Sequence, residues 1–209
     1  MDTKNIEIEI RGPLDDESHK QLLKYIDKNG RLLKKQSRFL VDYSTFLEGI
    51  GDRKSDIRLR VTNGKIELIV KKGKFGAFAR EEASVFVEGG DLKNAFSFMA
   101  LLGFRKGVAA VRKILRYDVD GVEIAIQDVI RYGTKDEIHS RFYEAEVMTS
   151  KTDAEKGKNR IIALLDKIGL KKFGEEDWNE YIAKLNKEAN GVYDYDKDNA
   201  DSLKSMPGL

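Results

Sequence analysis

The 209-residue chain predicts an α+β fold: an eight-stranded antiparallel sheet closed into a β-barrel, with helices packed outside. Three observations predict it. Charged and aliphatic residues alternate along several short segments, N-I-E-I-E-I-R at residues 5–11 being the clearest, and a period of two marks a strand with unlike faces. Asn63-Gly64 and Asp120-Gly121 are hairpin turns. Several other segments carry apolar residues at helical spacing and need a surface to cover.

In the first strand, residues 5–11, Ile6, Ile8 and Ile10 share one face and Glu7, Glu9 and Arg11 the other. Gly12-Pro13 breaks the extended run. Residues 14–29 have helical spacing through Leu22, Leu23, Tyr25 and Ile26, with Asn29-Gly30 as the stop. Residues 31–43 are extended, with Phe39 and Val41 on one face, and 44–55 form a loop. Residues 56–62, D-I-R-L-R-V-T, put Arg58 and Arg60 on one face. The chain returns through Asn63-Gly64 into a strand at 65–72 that ends in Lys71-Lys72. A turn at 73–76 precedes a strand at 78–87, where Arg80 and Glu82 share a face. Asp91 caps a helix that reaches residue 102, with Leu92, Ala95, Phe96 and Met99 facing inward. Strands at 108–118 and 122–130 join at Asp120-Gly121; a charged loop spans 131–140. The last strand, 141–148, carries Glu144 and Glu146 on one face. Helices follow at 153–168 and at 175–188, the latter with Trp178, Tyr181, Ile182 and Leu185. No linker divides residues 1–189, which form a single domain, and 190–209 are a polar tail, mobile or docked against it.

The composition excludes several classes. Lys and Arg number 38 against 36 Asp and Glu, a net charge of +2, which does not suit a DNA-coating protein. No aromatic–basic pattern suggests stacking on a single strand, so nucleic acid is not an expected partner. There is no cysteine, hence no disulfide, thiolate zinc site or cysteine nucleophile. His19 and His139 are too far apart in sequence to suggest a histidine metal site. No apolar run is long enough for a membrane span, and the first residues do not resemble a signal peptide; the cytoplasm is the expected location.

The charges are sorted by strand. The first and last strands are acidic through Glu7, Glu9, Glu144 and Glu146; the middle ones are basic through Arg58, Arg60, Lys71, Arg80, Arg112 and Lys113. Burying such charge is costly unless it is paired with opposite charge, a metal or a ligand. Carboxylates suit hard divalent ions, and guanidinium and ammonium groups suit phosphate oxygens. A polyphosphate carrying Mg2+ or Mn2+ wants both. The rival arrangement is a polar-faced open sheet with ion pairs between neighbouring strands.

The ordered series of motifs resembles the CYTH domain, the triphosphate tunnel metalloenzymes, which include thiamine triphosphatases, tripolyphosphatases and class IV adenylyl cyclases. E-x-E-x-R at Glu7, Glu9 and Arg11 is similar to its E-x-E-x-K signature. I-R-L-R at residues 57–60, Lys71, R-E-E at Arg80-Glu81-Glu82, the basic pair Arg112-Lys113 and E-A-E at 144–146 follow in order. The resemblance implies an eight-stranded tunnel in which Glu7, Glu9, Glu144 and Glu146, helped by Glu82, hold Mg2+ or Mn2+. It implies that Arg11, Arg58, Arg60, Lys71, Arg80 and Lys113, or Arg112 in place of Lys113, hold a triphosphate. Glu7, Glu9 and Lys71 are the catalytic candidates. The chain departs from the family where Gln127 replaces a usual aspartate, Leu40-Val41-Asp42 a usual Y-F-D, and Ile69 a usual threonine. The expected activity is metal-dependent hydrolysis of a triphosphate-bearing small molecule. The alternatives are adenylyl cyclase and a non-catalytic polyphosphate or nucleotide binder, which Gln127 favours. A homodimer is left open.

Overall fold

The computed structural model describes residues 5–45, 55–73 and 81–198. The strands are β1 (Asn5–Leu14), β2 (Gly30–Asp42), β3 (Ser55–Thr62), β4 (Lys65–Lys72), β5 (Glu81–Val87), β6 (Lys106–Val119), β7 (Val122–Ile130), β8 (Ile138–Ser150) and β9 (Gly191–Asp194). The helices are α1 (Asp16–Asn29), α2 (Leu92–Leu101), α3 (Ala154–Ile168) and α4 (Glu175–Glu188).

β1 runs through Gly12-Pro13 rather than breaking there. It ends the sheet, so proline's missing N–H removes no ladder bond. Gly12 is needed for close approach, since a Cβ there would come within 2.0 Å of the Lys171 carbonyl oxygen. α1 therefore starts at Asp16, behind a capping box: the Ser18 amide donates to Asp15 Oδ1 at 2.7 Å and the Asp15 amide to Ser18 Oγ at 3.0 Å.

The strands pair antiparallel in the order β1-β8-β7-β6-β2-β3-β4-β5. β1 and β5 are the two ends, and among the described residues they are not paired. The closure into a barrel by hydrogen bonds is thus not found. The sheet nonetheless curls strongly. The charge of Arg58 on β3 acts on Arg11 on β1, and that of Glu144 on β8 acts on Arg38, Arg58 and Arg112. A flat sheet would hold β1 and β3 about 24 Å apart, five strand spacings, too far for an exchange of that kind. The charged face is a trough, and β1 and β5 are its unpaired edge strands.

The outer face is aliphatic and covered. Ile8, Ile124, Tyr143 and Ala145 pack with Leu22 and Ile26 of α1 and Ile161 and Leu165 of α3. Phe39, Val41, Leu59 and Val111 pack with Ala95, Phe96 and Met99 of α2. The fourth helix departs from the expected arrangement: α4 lies on the inner face. Its Trp178 and Tyr181 rings stand 5.5 and 5.8 Å from Phe142, whose register partner is Gln127 on the charged side. The reason is local. At that end the inner face turns apolar, through Val129 and Phe142, and matches the Trp178–Leu185 stripe.

Residues 191–194, placed in the tail by the sequence, form β9 against residues 106–109 of β6. Tyr193 is fully buried and stacks on Phe96 at 4.4 Å. Among the described residues no helix is long and apolar enough to cross a membrane.

Candidate functional site: a trough of sorted charge

Directly paired residues of an antiparallel sheet share a face, so the register fixes what lines the trough. β1 and β8 bring Glu9 opposite Glu146 and Arg11 opposite Glu144. β7 adds Glu123 opposite Glu146. β2 and β6 bring Arg38 opposite Arg112; Arg58, Asp56 and Lys71 follow on β3 and β4, with Glu82 opposite Lys71. Glu7, Glu9, Arg11, Arg58, Arg60, Lys71, Glu82, Glu144 and Glu146 therefore share one face. Lys113 does not. It pairs in register with Asp128 on the opposite face and bonds the Asp136 carboxylate. Neighbouring strand residues cannot share a face, and it is Arg112 that faces inward. Arg80 lies outside the described residues.

Several of these charges are spent on one another. Arg11 bridges Glu9 and Glu144, its Nε donating to Glu144 at 3.1 Å, and its guanidinium stands 4.8 Å from the centre of the Trp178 ring. Arg60 donates from Nε and Nη2 to Glu67 Oε2, at 2.9 and 2.6 Å. Arg58 grips Asp56, Lys71 bridges Glu82, and Arg116 bridges Glu123 and, at 2.8 Å, Glu146. To this extent the rival arrangement, ion pairs between strands, is present.

Two cations stand apart. Among the described residues neither Arg38 nor Arg112 has an ion-pair partner. Arg38 Nε donates to Thr62 Oγ1 at 3.3 Å. Arg112 donates to the Val111 carbonyl at 2.8 Å and to Asn190 Oδ1 at 3.2 Å. Burial, with Arg60 close by, lowers the pKa of Arg38 to about 10. Burial lowers Arg112 to about 10 as well, only partly offset by Tyr181 and Glu144.

The acidic wall is crowded in the opposite sense. Burial raises Glu9 to about 8, Arg11 opposing and Glu144 reinforcing the shift. Burial raises Glu146 to about 7 against the pull of Arg116, with Glu7 adding to it. Burial pushes Glu144 up too, but Arg11, the hydrogen bond with Glu9 and Arg116 outweigh it and hold it near 2. Gln127, buried at 4% exposure, donates its amide to Glu144. Carboxylate oxygens are the donors a hard divalent cation takes, and Glu7, Glu9, Glu144 and Glu146 fit one in kind. Among the described residues, however, no three such groups converge closely enough to hold a metal ion, and Arg11 and Arg116 engage Glu9, Glu144 and Glu146.

Sequence reasoning missed Arg38, Arg116, Glu67, Asp56 and Glu123. The signal for Arg38 was present: it precedes Phe39, which with Val41 marks the outer face. Arg116 lies two full strand periods after Arg112.

No family model matches the sequence, and no curated protein does. Solved structures do. PH1819 from Pyrococcus horikoshii OT3 is 20% identical, covering 85% of this chain and 98% of its own, with a TM-score of 0.66. A candidate adenylate cyclase from Vibrio parahaemolyticus is 16% identical over 81% of this chain and 93% of its own, at 0.59. The candidate adenylyl cyclase HpAC1 from Hippeastrum, described as having a dominant triphosphatase activity, is 15% identical over 95% and 94%, at 0.52. These structures share with this chain the antiparallel α+β arrangement that the resemblance to the CYTH domain implies, while closure of the sheet into a tunnel is not found among the described residues.

Proposed function

We propose that the chain hydrolyses a triphosphate on the charged face of the trough, with Mg2+ or Mn2+ as cofactor. The observation that carries this reading is the Arg38–Arg112 pair. Like charges placed directly opposite each other destabilise a sheet, and buried guanidinium groups without carboxylates are costly. A polyanion lying between them removes both penalties. Arg58, Arg60 and Lys71 extend the basic wall, and their bonds to Asp56, Glu67 and Glu82 orient them.

Glu7, Glu9, Glu144 and Glu146, with Glu82 as helper, would hold the cation. When bound, it supplies charge neutralisation on the phosphoryl oxygens. The basic wall binds the phosphate chain and stabilises charge that builds up as the terminal phosphoryl group departs. The remaining glutamate oxygens orient a water for in-line attack. Arg11, gripped by Glu9 and Glu144 and covered by Trp178, keeps that end of the trough fixed.

Cyclisation of ATP is the second reading, and the likeness to the Vibrio candidate adenylate cyclase favours it. Non-catalytic binding is favoured by Gln127, which puts an amide against Glu144. One experiment separates the three. Phosphate release from tripolyphosphate, ATP and thiamine triphosphate is measured with Mg2+ or Mn2+ beside a Glu7→Gln/Glu9→Gln control, and cyclic AMP is assayed in the ATP reaction. Metal-dependent release that the control abolishes supports the triphosphatase. Cyclic AMP without release supports the cyclase, and binding without turnover the binder.

A further inference from the structure

A strand at the edge of a sheet is a template for another strand, and proteins guard such edges with lysine, proline, a bulge or a covering segment. β1 is guarded by Pro13 and by the Phe173 amide, which donates to the Arg11 carbonyl at 2.8 Å. β2 pairs with β3 only from Arg38 onward, and the part that runs past β3 carries exposed Arg31, Lys34 and Lys35. β5 has no such device. Its sequence, E-E-A-S-V-F-V, holds neither lysine nor proline, and its register with β4 has no bulge. Among the described residues it pairs with no strand on its other side. Val85 and Phe86 are 61% and 67% exposed, on opposite faces. On the outer face, Val85 opens into an apolar groove of about 380 Å3 walled by Leu68, Val70, Phe98 and Leu102. Leu101, the neighbour of Leu102, is exposed as well. Contiguous apolar surface of this kind marks an interaction site.

We propose that β5 pairs antiparallel with β5 of a second copy of this chain, giving a two-fold dimer with one continuous sheet. The register is what selects a second copy. Centred on Ser84, the pairing sets Ala83 against the partner's Val85, Glu82 against the partner's Phe86 and Glu81 against the partner's Val87. The whole strand is used, and no carboxylate faces another. A shift of two residues, which keeps the faces matched, shortens the ladder in either direction, and in one direction it sets Glu82 against the partner's Glu88, a repulsive pair. A two-fold axis perpendicular to the sheet leaves both outer faces on the same side, so the two apolar grooves adjoin. Val85, Phe98, Leu101 and Leu102 of each copy then add apolar area to the backbone pairing, toward the roughly 800 Å2 per partner that stable interfaces bury. The contact is self-complementary, so association stops at two. This pairing is independent of the reaction that the trough supports.

The test combines sedimentation velocity with cross-linking. The intact chain is expected to show a monomer–dimer equilibrium with a Kd on the order of 10 μM or tighter. Val85→Lys, which places an ammonium group in the groove beside the two-fold axis, is expected to weaken the dimer at least ~30-fold. The chain has no cysteine, so Ser84→Cys gives each copy one thiol, directly opposite its counterpart. Paired Cα atoms of an antiparallel ladder lie about 4.5–5.5 Å apart, inside the range that a disulfide spans. Mild oxidation is therefore expected to link Ser84→Cys into a dimer quickly, and to leave Glu81→Cys, whose counterpart lies at the far end of the partner's strand, unlinked. A chain that stays monomeric overturns the proposal. So does a dimer that Val85→Lys leaves intact, or one in which Glu81→Cys links as readily as Ser84→Cys. If Val85→Lys does not fold, the cysteine pair, which changes only exposed positions of β5, decides the matter.

Discussion

Arg38 and Arg112 oppose each other across β2 and β6, and their behaviour on substitution should differ from that of the paired arginines. Arg38→Met is expected to weaken tripolyphosphate binding about 10- to 100-fold, the weight of a charge-assisted hydrogen bond, with a thermal midpoint unchanged or raised. Calorimetry and thermal melts read the two effects. Arg60→Ala should do the reverse to stability. It strands Glu67, which is 8% exposed; with Arg60 itself partly solvated, the loss should be about 2 kcal/mol in urea denaturation. The same scale shows where the sequence was ambiguous. Arg112 and Lys113 are adjacent and chemically alike, and only the register with β2 decides which faces inward. The glutamates of β1 and β8 were legible because alternation alone puts Glu7 with Glu9 and Glu144 with Glu146.

Among the elements, most strands and helices could be read from period-two and helical patterns, which report local faces. What the patterns could not report is which side of the sheet a helix chooses. α4 has an ordinary apolar stripe, and its place on the inner face depends on Val129 and Phe142, distant in sequence. β9 was missed for a similar reason: four residues in a polar stretch carry little periodic signal, and their position is set by pairing with β6. Tyr193, stacked on Phe96, anchors it. Tyr193→Ala should cost about 3 kcal/mol, as large-to-small changes of buried aromatics do, measured by chemical denaturation, while Glu7→Gln should leave stability nearly unchanged.

For the molecule as a whole, the acidic wall links stability to pH and to cations. Glu9 and Glu146 titrate near 8 and near 7, above the ordinary 4.5. The folded chain then binds more protons than the unfolded one, so their contribution is present below pH 4.5 and is lost as pH rises through 7 to 8. Glu144, held near 2, contributes in the opposite direction, but only below that range. In metal-free buffer the thermal midpoint should fall between pH 6 and pH 9. Mg2+ should raise it more at pH 8.5 than at pH 6, because cation and proton compete for the same oxygens. A midpoint raised equally by Mg2+ at both values would place the cation elsewhere.

The pairing of β1 with β8 has a consequence in time. Arg11 and Glu144 are separated by 133 positions in the chain, and at the usual pace of translation that interval lasts roughly ten seconds. Throughout it, the first strand has been made and the strand that completes its ladder has not. The two halves of the acidic wall thus meet only when synthesis is well advanced. A nascent chain arrested before residue 138 would hold Glu7 and Glu9 without the opposing glutamates, and cation binding should be absent from such chains and arise in one step once β8 has left the ribosome.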